Sequence, residues 1–576
     1  MMSKTLDDYQ KAAIYFPPSK SVIVEAPPGH GKTFVMARRI EFILQSGYIH
    51  PPQKVLGLTF TNAAAGEMLD DIRSNLSLEQ QSFVKVMTFH SVCYKVLRAY
   101  GNVIGIDRDF LIVGELQQQK FLKSTISRIT NQPEDSDFVK RVLEAYGEWI
   151  IETVLKKNSQ YAHPWHQKLI NLVDIEYKNI LGANQVDYNY LLLNTIKLFN
   201  TNPNILDYYR GTFRYILVDE FQDTNPLQFQ LLSYLVFGDT GDTSFLPEAP
   251  VFILTDREQA IFRFQGATPE NIEKAKKAFN STELSLLINY RSNCPKIIAL
   301  TQKIRREPNV PTIEKVDFTI SQTPKEEAQL IINRINEYSG PKHDICVIAQ
   351  SSYYLSDLRC ALEDHSIPFV FVPDFKAKSV ELKYGSIFEA IRKLADETNS
   401  TEKLTLRIRK IFQDENPSWQ NDDVLSALID LATKFEQSVS GKSLSEKTRL
   451  FYNDILIEIN WGNLLRKRVR NKVFLSTIHG VKGLQFAHVH LCGLVNFVHI
   501  HSSICYPCNF GNNFDSIKNS LVEPYNTFYV GVSRAQDELY LYAVKKSSNN
   551  KCRTPICILT DFRDYINFPQ NVTFCR

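Results

Sequence analysis

The chain has 576 residues, of which 44% are hydrophobic and 22% charged, and its net charge is +3. At roughly 150 residues per domain, this length predicts about four domains and excludes a single core. The balanced charge excludes a nucleic-acid-binding surface spread over the whole molecule. Because the sequence has no apolar run of about 18 residues, we expect no membrane partner. The N-terminus, MMSKTLDDYQ, has no apolar signal region, so a cytoplasmic protein is expected.

The first motif is VIVEAPPGHGKT at residues 22–33, an apolar run that leads into a glycine-bearing loop. In a strand–loop–helix unit, Gly29 and Gly31 present backbone N–H groups to phosphate oxygens, and the positive end of the helix faces them. Lys32 would reach the outer phosphates, and the Thr33 hydroxyl would bind Mg²⁺. The motif therefore predicts a nucleotide-binding loop, with a chance Gly-Lys-Thr turn as the alternative.

Two further strand-then-helix units follow this loop, and successive units of this kind predict a parallel sheet. From about residue 100 to 204 helical periodicity replaces the strand signals, and the strand pattern resumes in YILVDE at 215–220. The sequence therefore predicts a first α/β core at residues 1–99 and 205–279, interrupted by a helical insertion at 100–204.

Two carboxylates, Asp219 and Glu220, end the resumed strand. A phosphate-loop enzyme needs such a pair on a neighbouring strand, because Asp219 can hold Mg²⁺ through water while Glu220 orients and deprotonates the attacking water. An acidic strand terminus without chemistry is the alternative. The phosphate loop upstream favours ATP hydrolysis.

The second half of the chain repeats this organisation. Apolar segments resume after residue 280, a helical and polar stretch interrupts them, and strands return at 473–477. We therefore predict a second core at residues 280–373 and 466–576, with a helical insertion at 374–465.

Histidine and cysteine side chains cluster between residues 488 and 508. Zinc would need four of them in a tetrahedral array, yet no second CxxC or H-x₃₋₅-H pair follows, and the first members alternate as in a strand. A zinc site and ordinary strand and loop residues stay open as interpretations, and the pattern favours the second. The residues concerned are His488, His490, Cys492, His499, His501, Cys505 and Cys508.

A basic run, RKRVRNK at residues 466–472, precedes the return of the strands. It either grips DNA phosphates or forms a solvated face, since runs of like charge commonly do the latter.

Eight motifs in order along the chain resemble those of the superfamily 1 DNA helicases of the UvrD, Rep and PcrA type. They are APPGHGKT, LTFTNAAAGEM, TFHS, ILVDEFQDTNPLQ, TDREQAIFRFQGA, LLINYRS, STIHGVKGLQF and FYVGVSRA. Each motif alone is weakly specific, but eight in the right order are not. The resemblance implies an α/β fold of two RecA-like parallel-sheet cores, each with a helical insertion. It also implies ATP in the cleft between the cores and single-stranded DNA crossing both.

The resemblance adds three catalytic residues to the lysine and the two carboxylates already derived. Gln259 would sense the γ-phosphate, and Arg291 and Arg534 would act as arginine fingers supplied by the second core. The implied nucleotide contacts are Gln10 at the adenine edge, Ala26, Gly29, His30, Gly31, Lys32, Thr33, Phe34, Tyr290 and Gln485. The implied DNA contacts, which combine stacking rings with polar groups, are Phe60, Thr88, His90, Phe262, Phe264, Thr477 and His479.

Five positions depart from the pattern of many relatives. Ala26 replaces the first glycine of the loop, Phe264 replaces Trp, and Gln265 replaces Arg. Gln485 replaces Glu, and because an amide still forms hydrogen bonds, we expect weakened nucleotide contact there. Phe34 replaces an Arg that, in those relatives, lies on one face of the adenine while the tyrosine of NYRS lies on the other. Phe34 either stacks on the base or packs into the first core.

The sequence therefore predicts an ATP- and Mg²⁺-dependent 3′-to-5′ DNA helicase or translocase that acts on single-stranded DNA and 3′-tailed duplex. The polarity rests on the resemblance alone. The second insertion is about half the length usual in the family, which predicts poor duplex unwinding. Two alternatives are a motor subunit with a nuclease or other protein partner, as in anti-phage defence, and a nucleotide-sensing interaction protein with little motor activity.

Overall fold

Two parallel sheets flanked by helices organise the described part of the chain. In the computed structural model, the structure describes residues 6–60, 65–66, 68–69, 72, 75–154, 164–238, 248–261, 270–312, 314–372, 377–397, 400, 402–439, 441–456, 470–500, 521–570 and 572–574. The strands are β1 (Val22–Glu25), β2 (Lys54–Thr59), β3 (Val84–Thr88), β4 (Leu111–Val113), β5 (Gln185–Asp187), β6 (Phe213–Val218), β7 (Val251–Thr255), β8 (Thr282–Ser285), β9 (Val316–Ser321), β10 (Ile345–Ala349), β11 (Phe369–Phe371), β12 (Val473–Thr477), β13 (Phe486–Leu491), β14 (Ala535–Val544) and β15 (Ile566–Asn567).

Helices lie between most of these strands. In chain order they are α1 (Asp8–Ile14), α2 (Lys32–Gln45), α3 (Leu78–Ser82), α4 (Phe89–Tyr100), α5 (Glu115–Thr130), α6 (Asp137–Val154), α7 (Pro164–Leu181), α8 (Tyr188–Thr201), α9 (Pro203–Thr212), α10 (Pro226–Phe237), α11 (Glu270–Ala278), α12 (Pro295–Ile304), α13 (Pro324–Glu337), α14 (Ser356–Asp364), α15 (Ala377–Lys393), α16 (Leu404–Glu415), α17 (Asp423–Ser438), α18 (Leu444–Phe451) and α19 (Val522–Val532). Among the residues described, no helix has both the length and the apolar character needed to cross a membrane.

The first sheet has the strand order β3-β2-β6-β7-β1-β8, and every pairing in it is parallel. Its central strands β6 and β7 are buried along their whole length, as expected where helices cover both faces of a parallel sheet. Strands β6, β7 and β1 are neighbours, so the segments that follow them meet at one edge. This edge carries the phosphate loop, the carboxylate pair and the Gln259 segment.

The second sheet is also parallel, with the order β11-β12-β10-β13-β14-β9-β15. The helix α19 leads into β14, and the turn between them carries Arg534. Two parallel sheets with covering helices confirm the predicted α/β fold class with two RecA-like cores.

The strand β8 differs from the sequence prediction. The sequence predicts a second core from residue 280, where apolar segments such as the run at 284–288 resume, whereas Thr282–Ser285 pairs with β1 at the edge of the first sheet. The end of the apolar run leaves the sheet, and Leu287 is 51% exposed. The first sheet therefore extends past residue 280, and the crossing to the second core follows β8.

The two helical insertions contact each other. The helices α5 to α8 and the small β4-β5 pair share a hydrophobic core with the first sheet, and α15 to α18 share one with the second sheet. Asn453, which follows α18, is buried against the first insertion: its Oδ1 accepts from the N–H of Ile112 at 3.2 Å. Its Nδ2 donates to the Tyr94 hydroxyl at 3.2 Å and to the Phe110 carbonyl at 3.3 Å. The second insertion is thus joined to the first.

Candidate functional site

The phosphate loop between β1 and α2 has a backbone shape that requires its two glycines. Gly29 and Gly31 have φ angles of +85° and +82°, in the left-handed region that other residues rarely adopt. The loop is also crowded, because a Cβ on Gly29 would lie 2.5 Å from the Cβ of Arg291 and 2.7 Å from Oδ1 of Asn289. The NYRS segment that leads to the second core therefore lies directly against the phosphate loop.

Two other loop residues fix its ends. The Ala26 N–H donates to the carbonyl of Thr255 at 2.8 Å, which ties the start of the loop to β7. His30 donates from Nδ1 to the carbonyl of Pro28 at 3.1 Å, and burial lowers the pKa of its imidazole to about 4. His30 is therefore neutral near pH 7 and shapes the loop without adding charge.

The phosphate-loop lysine is paired with one carboxylate of the predicted pair. Lys32 Nζ lies 2.5 Å from Oε1 of Glu220, and Gln222 donates to the other oxygen of that carboxylate. Glu220 has a φ of +49°, an unusual backbone for a residue with a Cβ. This backbone is held because Oδ1 of Asp219 accepts the Glu220 N–H at 2.9 Å. The structure thus brings Lys32, Asp219 and Glu220 together, as the motifs predicted.

The two carboxyl groups differ in their electrostatics. Burial raises the pKa of Asp219 to about 6, and the charge of Glu220 adds to the shift. Burial would raise the pKa of Glu220 too, but Lys32 and Lys482 outweigh it and lower the pKa to about 2. Glu220 is therefore firmly ionised, whereas Asp219 would be stabilised as a carboxylate by a further cation.

A Mg²⁺ ion would suit this donor set. Thr33 in the first turn of α2 offers a hydroxyl and Asp219 a carboxylate, and magnesium prefers oxygen ligands. The raised pKa of Asp219 is consistent with a carboxylate whose partner cation is a metal ion.

The second core supplies a buried cation to the side-chain amide of Gln259. Arg534 is 1% exposed, and its Nη2 donates to Oε1 of Gln259 at 3.0 Å. Burial lowers the pKa of Arg534 to about 9, and the neighbouring Arg291 adds to the shift. Arg291 itself donates to the carbonyl of Ser533 at 3.3 Å. The structure therefore brings Gln259 and Arg534 into contact and sets Arg291 beside them.

Lys482 forms a contact between the cores that the sequence did not predict. Its Nζ lies 2.7 Å from both carboxylate oxygens of Asp223 and 2.7 Å from the carbonyl of Gln259. The pair is buried. In the sequence, Lys482 is marked only by its position within STIHGVKGLQF, a motif in which Gln485 is the predicted nucleotide contact.

The residues predicted to contact the nucleotide near its base differ in their exposure and in their distance from the phosphate loop. Nε2 of Gln10 lies 3.1 Å from where a Cβ on Gly31 would stand. The Tyr290 hydroxyl donates to Asp7, and its ring is 50% exposed. Phe34 is half-buried and has the guanidinium carbon of Arg38 at 5.5 Å from its ring centroid. Gln485 is exposed on the second core.

The predicted DNA contacts lie at the carboxyl ends of strands in both sheets. Thr88 ends β3 and accepts the Ser91 N–H at 3.1 Å, while Thr477 ends β12 and accepts the Gly480 N–H at 3.2 Å. Each threonine is followed two residues later by a predicted histidine, His90 or His479. Two similar T-x-H turns, one per core, are consistent with a strand of DNA that crosses both.

The remaining predicted DNA residues fall into two groups. Phe60 is half-buried just after β2. The ring centroid of His90 lies 5.0 Å from that of Tyr188, and burial lowers the pKa of His90 to about 4. Phe262 and Phe264, and with them Gln265, lie outside the described residues.

The described histidines and cysteines of the candidate zinc cluster do not gather. His490 is stacked on Tyr540, with 4.9 Å between the ring centroids, and hydrogen-bonds the Tyr542 hydroxyl at 2.9 Å. His499 donates to the carbonyl of Pro524 at 3.2 Å. No group of His488, His490, Cys492 and His499 with metal-binding geometry is found in the described ranges. His501, Cys505, Cys508 and positions 466–469 of the basic run lie outside them.

Comparison with known proteins finds similarity to DNA helicases at both the family and the individual level. The family model described as the UvrD/REP helicase N-terminal domain matches residues 6–280, and that described as the UvrD-like helicase C-terminal domain matches residues 374–546. A probable DNA helicase II homolog of Mycoplasma capricolum is 26% identical, with 94% of this chain and 84% of the relative covered. The ATP-dependent DNA helicase PcrA of Bacillus subtilis is 26% identical, with 92% and 81% covered. PcrA of Staphylococcus aureus is 28% identical over 61% of this chain and 48% of the relative.

Two parallel-sheet cores that share a phosphate loop, a carboxylate pair and cross-cleft cations define a class of nucleotide-driven motor enzymes. With both family models matched in order, the chain belongs to the superfamily 1 helicases of the UvrD, Rep and PcrA type, a family of ATP-dependent DNA helicases.

Proposed function

We propose that the protein hydrolyses ATP between its two cores and uses the energy to move along single-stranded DNA in the 3′-to-5′ direction. The observation that carries this proposal is the contact of Gln259 with Arg534, which joins the phosphate-loop core to a cation of the other core. Hydrolysis that depends on groups from both sides of a cleft is coupled to closing and opening of that cleft.

The residues of the site take distinct roles in this proposal. Lys32 leaves Glu220 to neutralise the outer phosphates, and Glu220 then accepts a proton from the attacking water. Arg291 and Arg534 stabilise charge that develops on the transferred phosphoryl group, and Gln259 links its presence to the second core. Mg²⁺, held by Thr33 and Asp219, would neutralise phosphate charge.

DNA contact in this proposal runs across the two T-x-H turns and the rings near them. Stacking on Phe60, Phe262 and Phe264 is tolerant of sequence because every base has a π-face. The helical insertions at 100–204 and 374–465 would border this path. The names of the matching relatives lend no support to a nuclease partner, a defence role or a sensor without motor activity.

The test combines ATPase and translocation assays. ATP hydrolysis should rise when single-stranded DNA is added, and streptavidin should be displaced from a strand biotinylated at its 5′ end much faster than from one biotinylated at its 3′ end. Absence of DNA stimulation contradicts the motor function, whereas the opposite displacement preference contradicts only the polarity.

A further inference from the structure

Three carboxylates gather next to the Gln259 segment on the first core. Glu25 ends β1, and Asp256 and Glu258 follow β7; one oxygen of each lies within 4.8 Å of the others. Asp256 is fully buried. Burial raises the pKa of both Glu25 and Glu258 to about 7. Carboxylates so close together in a buried place need a cation beside them.

The second core provides that cation. Arg305 immediately follows α12, where the negative end of the helix favours a positive charge. Its Nη1 lies 2.7 Å from Oδ1 of Asp256 and 3.0 Å from Oε2 of Glu258, and Nη2 lies 3.5 Å from Oε1 of Glu25. The Arg305 side chain is only 12% exposed. The three carboxylates therefore form a binding site for an arginine of the opposite core.

This contact is connected to the catalytic groups through Asp256. Its Oδ1 binds Arg305, while its Oδ2 accepts from Nε2 of Gln259 at 2.7 Å. That hydrogen bond places the nitrogen of the Gln259 amide next to Asp256, so the amide oxygen faces the other way. This oxygen accepts from Nη2 of Arg534 at 3.0 Å. Arg305, Asp256, Gln259 and Arg534 thus form one hydrogen-bonded chain that crosses the cleft twice.

We propose that Arg305 is a positioning residue for ATP hydrolysis: by holding Asp256 from the second core, it fixes the Gln259 amide and, through it, the arginine finger Arg534. The inference rests on the proposed function and adds a residue outside the eight motifs. Arg305 does not reach the reacting atoms. It determines whether the groups that do are aligned, and catalysis is sensitive to misplacement by about 1 Å.

The decisive variant is Arg305→Gln, compared with Arg306→Gln as a matched control. Arg306 is the next residue and is exposed, so its substitution makes the same change in net charge without touching the cleft. We expect Arg305→Gln to lower the kcat of DNA-stimulated ATP hydrolysis by about 10- to 100-fold, with the KM for ATP changed less than about twofold. Arg306→Gln should leave both values unchanged.

Two further variants separate positioning from charge balance. Arg305→Lys keeps the charge but loses the planar guanidinium, whose Nη1 contacts Asp256 and Glu258 and whose Nη2 contacts Glu25, so it should recover only part of the rate. The double variant Arg305→Gln with Glu258→Gln restores the local charge balance and should recover melting temperature but not kcat. Recovery of kcat in the double variant, or a kcat for Arg305→Gln within about twofold of wild type, overturns the proposal.

The wild-type protein in the same assay keeps this inference separate from the proposed function. If wild type shows no DNA-stimulated hydrolysis, the motor function fails whatever Arg305 does. If wild type is active and Arg305→Gln is equally active, only the role of Arg305 fails.

Discussion

Lys32 and Glu220 neutralise each other in the structure, and this has a consequence for catalysis. With Lys32 at 2.5 Å, the pKa of Glu220 is lowered to about 2, which makes the carboxylate a poor base. When phosphate oxygens draw Lys32 away, the nearer of two cations leaves and the pKa of Glu220 rises. Binding of the nucleotide would then prepare the base that acts on it.

The first prediction distinguishes these two residues. Lys32→Ala should weaken ATP binding, because it removes the cation for the phosphates, whereas Glu220→Gln should leave ATP bound but unhydrolysed. Each should lower kcat by more than about a hundredfold, as loss of a principal catalytic group does. Binding of a fluorescent ATP analogue and steady-state hydrolysis measure the two effects, with the exposed Lys20→Ala as control. A residual kcat above about one hundredth of wild type contradicts the assignment.

A second prediction concerns Phe34, whose half-buried ring lies beside Arg38 in the first turns of α2. If Phe34 stacks on adenine, Phe34→Ala should raise the KM for ATP several-fold with kcat and melting temperature little changed, because offset stacking contributes about 0.5–1.5 kcal/mol. Phe42→Ala on the same helix is the matched control. Phe42 packs against the first core, so its loss should lower melting temperature and leave KM unchanged. The same pattern in Phe34→Ala would show that Phe34 is a packing residue.

The placements that the sequence could predict are those set by local order in the chain. Lys32 follows a strand and two glycines within one motif, and Asp219 and Glu220 follow another strand, so spacing alone predicted that they lie at one edge of the sheet. Lys482 and Arg305 could not be found in this way. Their partners, Asp223 and Asp256, are far away in the chain, and no periodic pattern records a contact between the two cores.

At the scale of elements, the apolar pattern of the sequence assigns the segment that contains β8 to the wrong sheet. The run at 284–288 is apolar enough to be a buried strand, yet β8 is an edge strand of mostly exposed residues. All of β8 pairs with β1, but only the first two residues of the apolar run, Leu284 and Ser285, belong to it. Edge strands need less apolar burial than central ones, and the order of parallel strands depends on crossover connections rather than on local composition. The fold class was therefore predictable, but the point where the chain changes sheets was not.

The helix α13 carries a carboxyl group that predicts a dependence of stability on pH. Glu327 is buried near Tyr354 and Cys492, and burial raises its pKa from 4.5 to about 8. Between these values the folded protein keeps a proton that the unfolded chain has lost, so the free energy of unfolding falls as pH rises through this window.

The variant Glu327→Gln tests this, since it replaces the neutral acid by an amide of similar shape. Its melting temperature should be close to that of wild type at the lower end of the window and higher than wild type at the upper end. Thermal unfolding followed across the window measures the difference. Glu337→Gln, at the exposed end of the same helix, should show no pH-dependent gap. A parallel pH profile for Glu327→Gln and wild type would show that Glu327 ionises in the folded protein as freely as in the unfolded chain.

At the scale of the whole molecule, the short second insertion bears on the proposed motor activity of the isolated protein. The resemblance implies that this insertion contacts duplex and regulates unwinding, and the predicted bounds 374–465 give it about half the length usual in the family. We predict that the isolated protein hydrolyses ATP on single-stranded DNA but unwinds a 3′-tailed duplex poorly. Strand-separation assays with excess protein, run beside the ATPase on the same tail sequence, measure both. Robust unwinding by the monomer contradicts the prediction.

The hydrogen bonds of Asn453 restrict how the two cores can move relative to each other, because they join the two helical insertions as well. Each core shares a hydrophobic core with its own insertion, and the two insertions are joined through Asn453. The second core also contacts the first core directly, through Arg305 and Lys482. These contacts form a closed circuit. If the cleft opens during ATP hydrolysis as proposed, the contacts of Arg305 and Lys482 must break, and the opening would place a load on the Asn453 junction between the two helical insertions.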